Sequence, residues 1–148
     1  MPLISGAITH QGVVIDLVVG VPASVRHAAI QSQLHVPPDL YLRGVVDTGA
    51  AVTGLSPRVI SQLGLRASDQ IAISTPSTTL GSPHRADRFE VSLSLVAGGT
   101  KHLFAETLVI AADCFPPEEH IDALIGRDVL DHCSFQYWGQ ARQFQFAF

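Results

Sequence analysis

Val45-Val46-Asp47-Thr48-Gly49-Ala50 is the stretch on which the reading of this chain turns. Leu40 to Val46 alternates as a buried strand, and Asp47 stands where that strand gives way to a loop. Gly44 and Gly49 carry no Cβ, which lets other backbone approach closely. Taken alone, Asp-Thr-Gly is a short pattern that equally marks an Asx-turn at a strand end. Its neighbours narrow the choice. Ser56-Pro57 reads as an N-cap followed by Pro at the first helical position, and Val59, Ile60 and Leu63 give the short helix an apolar face before Gly64 ends it.

Working outward, Val13 to Val19 is a β-branched strand between His10-Gln11-Gly12 and Gly20-Val21-Pro22, with residues 3 to 9 as its expected hairpin partner. From Ser24 as N-cap, Val25 to Leu34 favours a short helix, which Val36-Pro37-Pro38-Asp39 terminates. Ile71 to Ser74, Phe89 to Val96 and Leu103 to Ala111 are further strands, and Phe89, Val91, Leu93 and Leu95 alternate with Glu90, Ser92 and Ser94. Thr75 to Pro83 is a polar connection, read as a loop or a hairpin tip. At the end, Ser134 to Trp138 and Arg142 to Phe148 flank Gly139-Gln140-Ala141, and Phe144, Phe146 and Phe148 share one face of the last strand. Those aromatics have two possible uses, to close the chain's own core or to pair with a second copy.

The 148 residues, 47% hydrophobic and 15% charged, suit one domain over 1–148 with a filled core. Nine Pro and twelve Gly among short Val, Ile and Leu runs point to a mainly β protein. A net charge of −4 without a basic cluster argues against a nucleic-acid partner. No apolar run reaches the roughly 20 residues of a membrane helix, and Met1 to His10 has no signal-peptide pattern, so no membrane association is expected. Two cysteines, Cys114 and Cys133, are too few for a disulfide framework and fit reduced thiols in a cytoplasmic protein.

Asp47-Thr48-Gly49-Ala50 after an apolar strand, followed much later by Ala123-Leu124-Ile125-Gly126-Arg127-Asp128-Val129-Leu130, resembles the retropepsin-like aspartic proteases, single-domain and dimeric. The likeness covers about two-thirds of the chain, from Leu40 to the C-terminus. It implies a closed β-barrel with one or two short helices, assembled as a homodimer, that cleaves a peptide or protein substrate without cofactor or metal. It also implies that Asp47 is catalytic, that Thr48, Gly49, Ala50 and Gly126 support its loop, and that Thr75, Pro76, Ser77, Thr78, Thr79 and Leu80 form a substrate-binding flap. Terminal strands of the two subunits would interleave beneath the paired loops.

Three departures stand out. Gly20 to Asp39 is longer and more helical than in viral relatives, and the flap stretch has one Gly and two Pro where theirs is glycine-rich. Ala51 and Val52 replace the acidic residue that often follows the loop, which leaves Asp128 or solvent as the partner of Arg127.

The chemistry stands apart from the likeness. Amide hydrolysis needs an activated water and a proton for the leaving nitrogen. Two carboxylates held about 3 Å apart cannot both ionise freely, so one serves as base and the other as acid. One Asp-Thr-Gly per chain then requires a second chain across a two-fold axis.

Other chemistries are weaker. His132-Cys133 with Cys114 and His120 lacks paired zinc-ligand spacing. Ser56 lacks the second glycine of a nucleophile elbow. An actin-like phosphate turn needs two larger domains. The remaining rival is a catalytically silent dimer of the same fold that acts as a peptide-binding or scaffolding module, and an intact Asp-Thr-Gly speaks against it.

Overall fold

A computed structural model describes residues 2–74, 81, 84–113 and 115–148. The expected flap, Thr75 to Leu80, and Cys114 lie outside these residues.

The chain builds a closed barrel of six strands with a three-stranded sheet beside it. In chain order the elements are β1 (Leu3–Ala7), β2 (Val14–Gly20), α1 (Ala23–Gln31), β3 (Leu40–Val46), β4 (Gly54–Leu55), α2 (Pro57–Gln62), β5 (Asp69–Ile73), β6 (His84–Ala97), β7 (Thr100–Ala111), β8 (Ala123–Ile125), α3 (Arg127–Leu130), β9 (Ser134–Trp138) and β10 (Gln143–Ala147). A single 3-10 turn, Pro117–Glu119, precedes β8. The barrel runs β2-β3-β8-β4-β7-β6 and closes where β2 also pairs with β6, leaving β5 on the outer side of β6. Its parallel pairs, β3 with β8 and β4 with β7, are short.

Period-2 alternation fills the interior. Ile15, Leu17 and Val19 of β2 meet Val91, Leu93 and Leu95 of β6, all nearly or fully buried. The two longest strands, β6 and β7, are joined at Gly98-Gly99, both in the left-handed region, as a tight hairpin turn demands. Helix α2 starts where expected, with Ser56 at the cap and Pro57 first, and stops at Gly64 with φ 62°.

Two local expectations are corrected. Residues 3 to 7 do not pair with β2; β1 pairs antiparallel with β10, from the far end of the chain, with Ile4 opposite Phe146. Helix α1 begins at Ala23, with Pro22 rather than Ser24 in the cap position. Pro22 fixes φ near the helical value and has no N–H to satisfy, so it fits a helix start without a side-chain cap.

The terminal strand is likewise not an open edge. β10 lies between β1 and β9, and its Phe144 and Phe146 are buried in the core of their own chain. Phe146 stacks on Phe135 with ring centroids 4.9 Å apart. Interleaving of β10 with a partner is therefore blocked on both sides. Phe146→Ala is expected to cost about 3–5 kcal/mol, as truncation of a fully buried aromatic does, read as a lowered denaturation midpoint at unchanged m-value.

Candidate active site

Asp47 follows directly on β3, and the end of that strand is fixed from two directions. The Val46 N–H donates to the Val13 carbonyl at 2.9 Å, and the Asp47 N–H donates to the Ile125 carbonyl at 2.9 Å. Asp47 is half-buried. Its Oδ1 accepts the Gly49 N–H at 2.8 Å, and its carbonyl accepts the Ala50 N–H at 3.2 Å. The loop is thus an Asx-type turn that points one carboxylate oxygen back at its own backbone and holds the carboxylate in place. Thr48 and Gly49 are exposed at the tip, and Ala50 is half-buried behind them.

The segment leading from β8 into α3 clamps this loop. The Arg127 N–H donates to the Ala50 carbonyl at 2.8 Å, and Arg127 Nη1 donates to the Thr48 carbonyl at 2.9 Å. Arg127 is therefore engaged by the loop backbone, neither paired with Asp128 nor merely solvated. Gly126 is required by proximity: a Cβ there would sit 2.7 Å from the Val52 carbonyl carbon and 2.8 Å from its oxygen. Main chain cannot yield as a flexible side chain can. Gly126 thus joins Asp47, Thr48, Gly49 and Ala50 in one cluster.

Sequence reasoning missed the residue at the centre of the clamp. Thr53 is fully buried, and its Oγ1 donates to Asp128 Oδ1 at 2.7 Å while accepting the Gly126 N–H at 3.0 Å. The Thr53 N–H donates to Asp128 Oδ2 at 2.9 Å, and Asp128 Oδ1 also accepts the Val129 N–H at 2.9 Å. Asp128, offered from sequence as a partner of Arg127, is instead bound into the clamp. The available signal was a lone hydroxyl inside Ala50-Ala51-Val52-Thr53-Gly54-Leu55. Thr53→Val keeps the shape but strands a buried N–H, so a loss of about 1–3 kcal/mol is expected in chemical denaturation.

At the base of the hairpin strands that bracket the expected flap in sequence, Arg88 of β6 grips Asp69 of β5 with both ends of its guanidinium. The hydrogen bond from Arg88 holds the Asp69 carboxyl below its ordinary range. This contribution to β5–β6 pairing is present above the ordinary carboxylate pKa and is lost as pH falls through the lowered value.

Of the candidate zinc residues, His120, His132 and Cys133 are among the described residues. Among the described residues no group of three or more His, Cys, Asp and Glu converges. Burial, and secondarily Asp131, pushes the Cys133 thiol up, and its Sγ lies 3.3 Å from the Leu130 carbonyl. A thiol held protonated is a poor metal ligand or nucleophile. Ser56 Oγ bonds Asp122 Oδ1 at 2.9 Å, with Arg58 on the other carboxylate oxygen at 2.6 Å, which ties α2 to the approach to β8. Among the described residues no helix is long and apolar enough to cross a membrane.

The six-stranded barrel, with the Asp-Thr-Gly loop clamped by an Ile-Gly strand end, is a retropepsin-like fold. A solved structure, a retropepsin-like aspartic protease from Rickettsia conorii, superimposes with a TM-score of 0.56 over 99% of this chain and 90% of that one, at 16% sequence identity. At that identity the likeness is one of fold. No protein-family model matches the chain, and no curated protein does.

Proposed function

We propose that the protein is an aspartic endopeptidase, a hydrolase in which a water activated between two Asp47 carboxylates, one from each subunit of a homodimer, attacks the peptide carbonyl. The observation that carries this reading is the clamped loop: a half-buried Asp47 with one carboxylate oxygen committed to Gly49, and exposed Thr48 and Gly49 at the tip. The other oxygen remains for water or for the partner's carboxylate. In the dimer, one carboxylate takes a proton from water while the other, protonated, hydrogen-bonds the substrate carbonyl and the proton passes to the leaving nitrogen. Thr48 and Gly49 meet their counterparts at the two-fold axis, Ala50 and Gly126 keep the loop in position, and Thr75 to Leu80 closes over the peptide. No metal or cofactor takes part, and the whole of 1–148 acts as one domain.

Turnover of a peptide library across pH tests this. The rate is expected to follow a bell with its optimum in acidic to mildly acidic solution, both limbs belonging to the carboxylate pair. Cleavage should persist in the presence of a chelator. A rate that climbs steadily through pH 8, or that is lost to a chelator and restored by zinc, contradicts the proposal.

A further inference from the structure

Away from the Asp47 loop, α1 forms one wall of a cavity of about 360 Å3 on the outer face of the barrel. Strand register sets its floor. Val18 of β2 lies opposite Ser94 of β6, which lies opposite Leu103 of β7, so the three side chains share the face opposite to the buried Leu17, Leu93 and Leu95. Leu103 is 54% exposed and Ile30 of α1 is 63% exposed, giving the cavity two uncovered apolar walls.

The helix itself is weakly attached. None of its nine residues is buried, and a helix of that length is marginal without packing. An ion pair between Arg26 and Asp39 ties it down, and Gly20 leaves room for that pair, since an added Cβ would collide with the Asp39 carboxylate.

Charge at the cavity runs against the trend of the molecule. In a chain of net charge −4, Arg26, His27 and Lys101, the only lysine, all line it. Asp39 is the one carboxylate in the lining and is engaged by Arg26, whereas Lys101 has no ion-pair partner among the described residues. A floor in which Ser92 and Ser94 lie among apolar side chains, with a surplus cation at its rim, matches an amphiphilic anion.

We propose that this cavity binds a carboxylate carrying an apolar chain, with the carboxylate at Lys101 and the chain against Val18, Ile30 and Leu103. Such a ligand touches α1 and β6–β7 at once and supplies the packing the helix lacks. Two sources share this chemistry, a fatty acid and the free C-terminus of a peptide ending in an apolar residue. Octanoate and N-acetyl-leucine stand in for them.

The experiment is titration of the full chain with each probe by calorimetry, with amide exchange followed over residues 23–31. Saturable binding is expected for at least one probe, together with slower exchange in α1. Lys101→Met and Leu103→Ser, both at exposed positions, should each weaken binding about fivefold or more while keeping the wild-type denaturation midpoint. Octanoate alone identifies the fatty acid as the source, N-acetyl-leucine alone the peptide terminus, and both together the shared class. Binding by neither probe, or binding that both variants leave unchanged, overturns the proposal. Because the readout is binding, it gives the same answer in Asp47→Asn protein and stands whether or not the chain is a protease.

Discussion

Asp47→Asn is expected to give a folded protein without measurable peptide cleavage. The fold should survive because Asn keeps the size of the side chain and an oxygen to accept the Gly49 N–H, while the Asp47 backbone bonds to Ile125 and Ala50 do not involve the side chain. Asp47 is half-buried and has no ion-pair partner among the described residues, so no buried charge is orphaned. Activity should vanish because an amide neither takes a proton from water nor returns one to the leaving nitrogen. Both subunits also lose the group together. A single acid–base group contributes about 10²–10⁴ in rate, so loss of the base and the acid at once should lower kcat by at least about 10⁴. The check is kcat/KM on a cleaved peptide beside circular dichroism and a denaturation curve. Full activity in a folded Asn variant ends the aspartic-protease reading.

What could be read from the sequence was what local rules govern. β3 and the Asp47 loop were legible because alternation, a strand end and a Gly lie within a dozen residues. Helix α2 was legible for the same reason, since Ser56-Pro57 and Gly64 mark both of its ends. The pairing of β1 with β10 was not, because nothing near Leu3 to Ala7 specifies a partner some 140 residues on, and nearness in sequence favoured β2. The clamp escaped for a related reason. Thr53 meets Asp128 only once β4 and β8 are neighbours in the barrel, so the buried triad with Gly126 is a product of topology. Phe144 and Phe146 show a third kind of limit: their periodicity gave the shared face correctly but left open which surface covers it.

Mixing wild-type protein with a ninefold excess of the Asp47→Asn variant is expected to suppress cleavage well beyond what dilution of the wild type explains. If each site takes one Asp47 from each of two chains, random exchange leaves about one wild-type subunit in ten with a wild-type partner, and activity per wild-type subunit falls about tenfold. A monomeric enzyme keeps its full activity in the same mixture. Dilution supplies the second arm, because activity per subunit must fall once total protein drops below the dimer dissociation constant. The fold makes the outcome informative. Since β10 is already enclosed by β1 and β9, the monomer keeps its core and the diluted protein should remain folded, so loss of activity reports on dimerisation. The open edges of the terminal sheet belong to β1 and β9, and Tyr137 and Trp138 on β9 are 57% and 45% exposed, so pairing with a second chain through this sheet would have to use those edges. Unchanged activity per subunit at nanomolar concentration, with no suppression by the Asn variant, would show that one Asp47 suffices and would overturn the two-chain site.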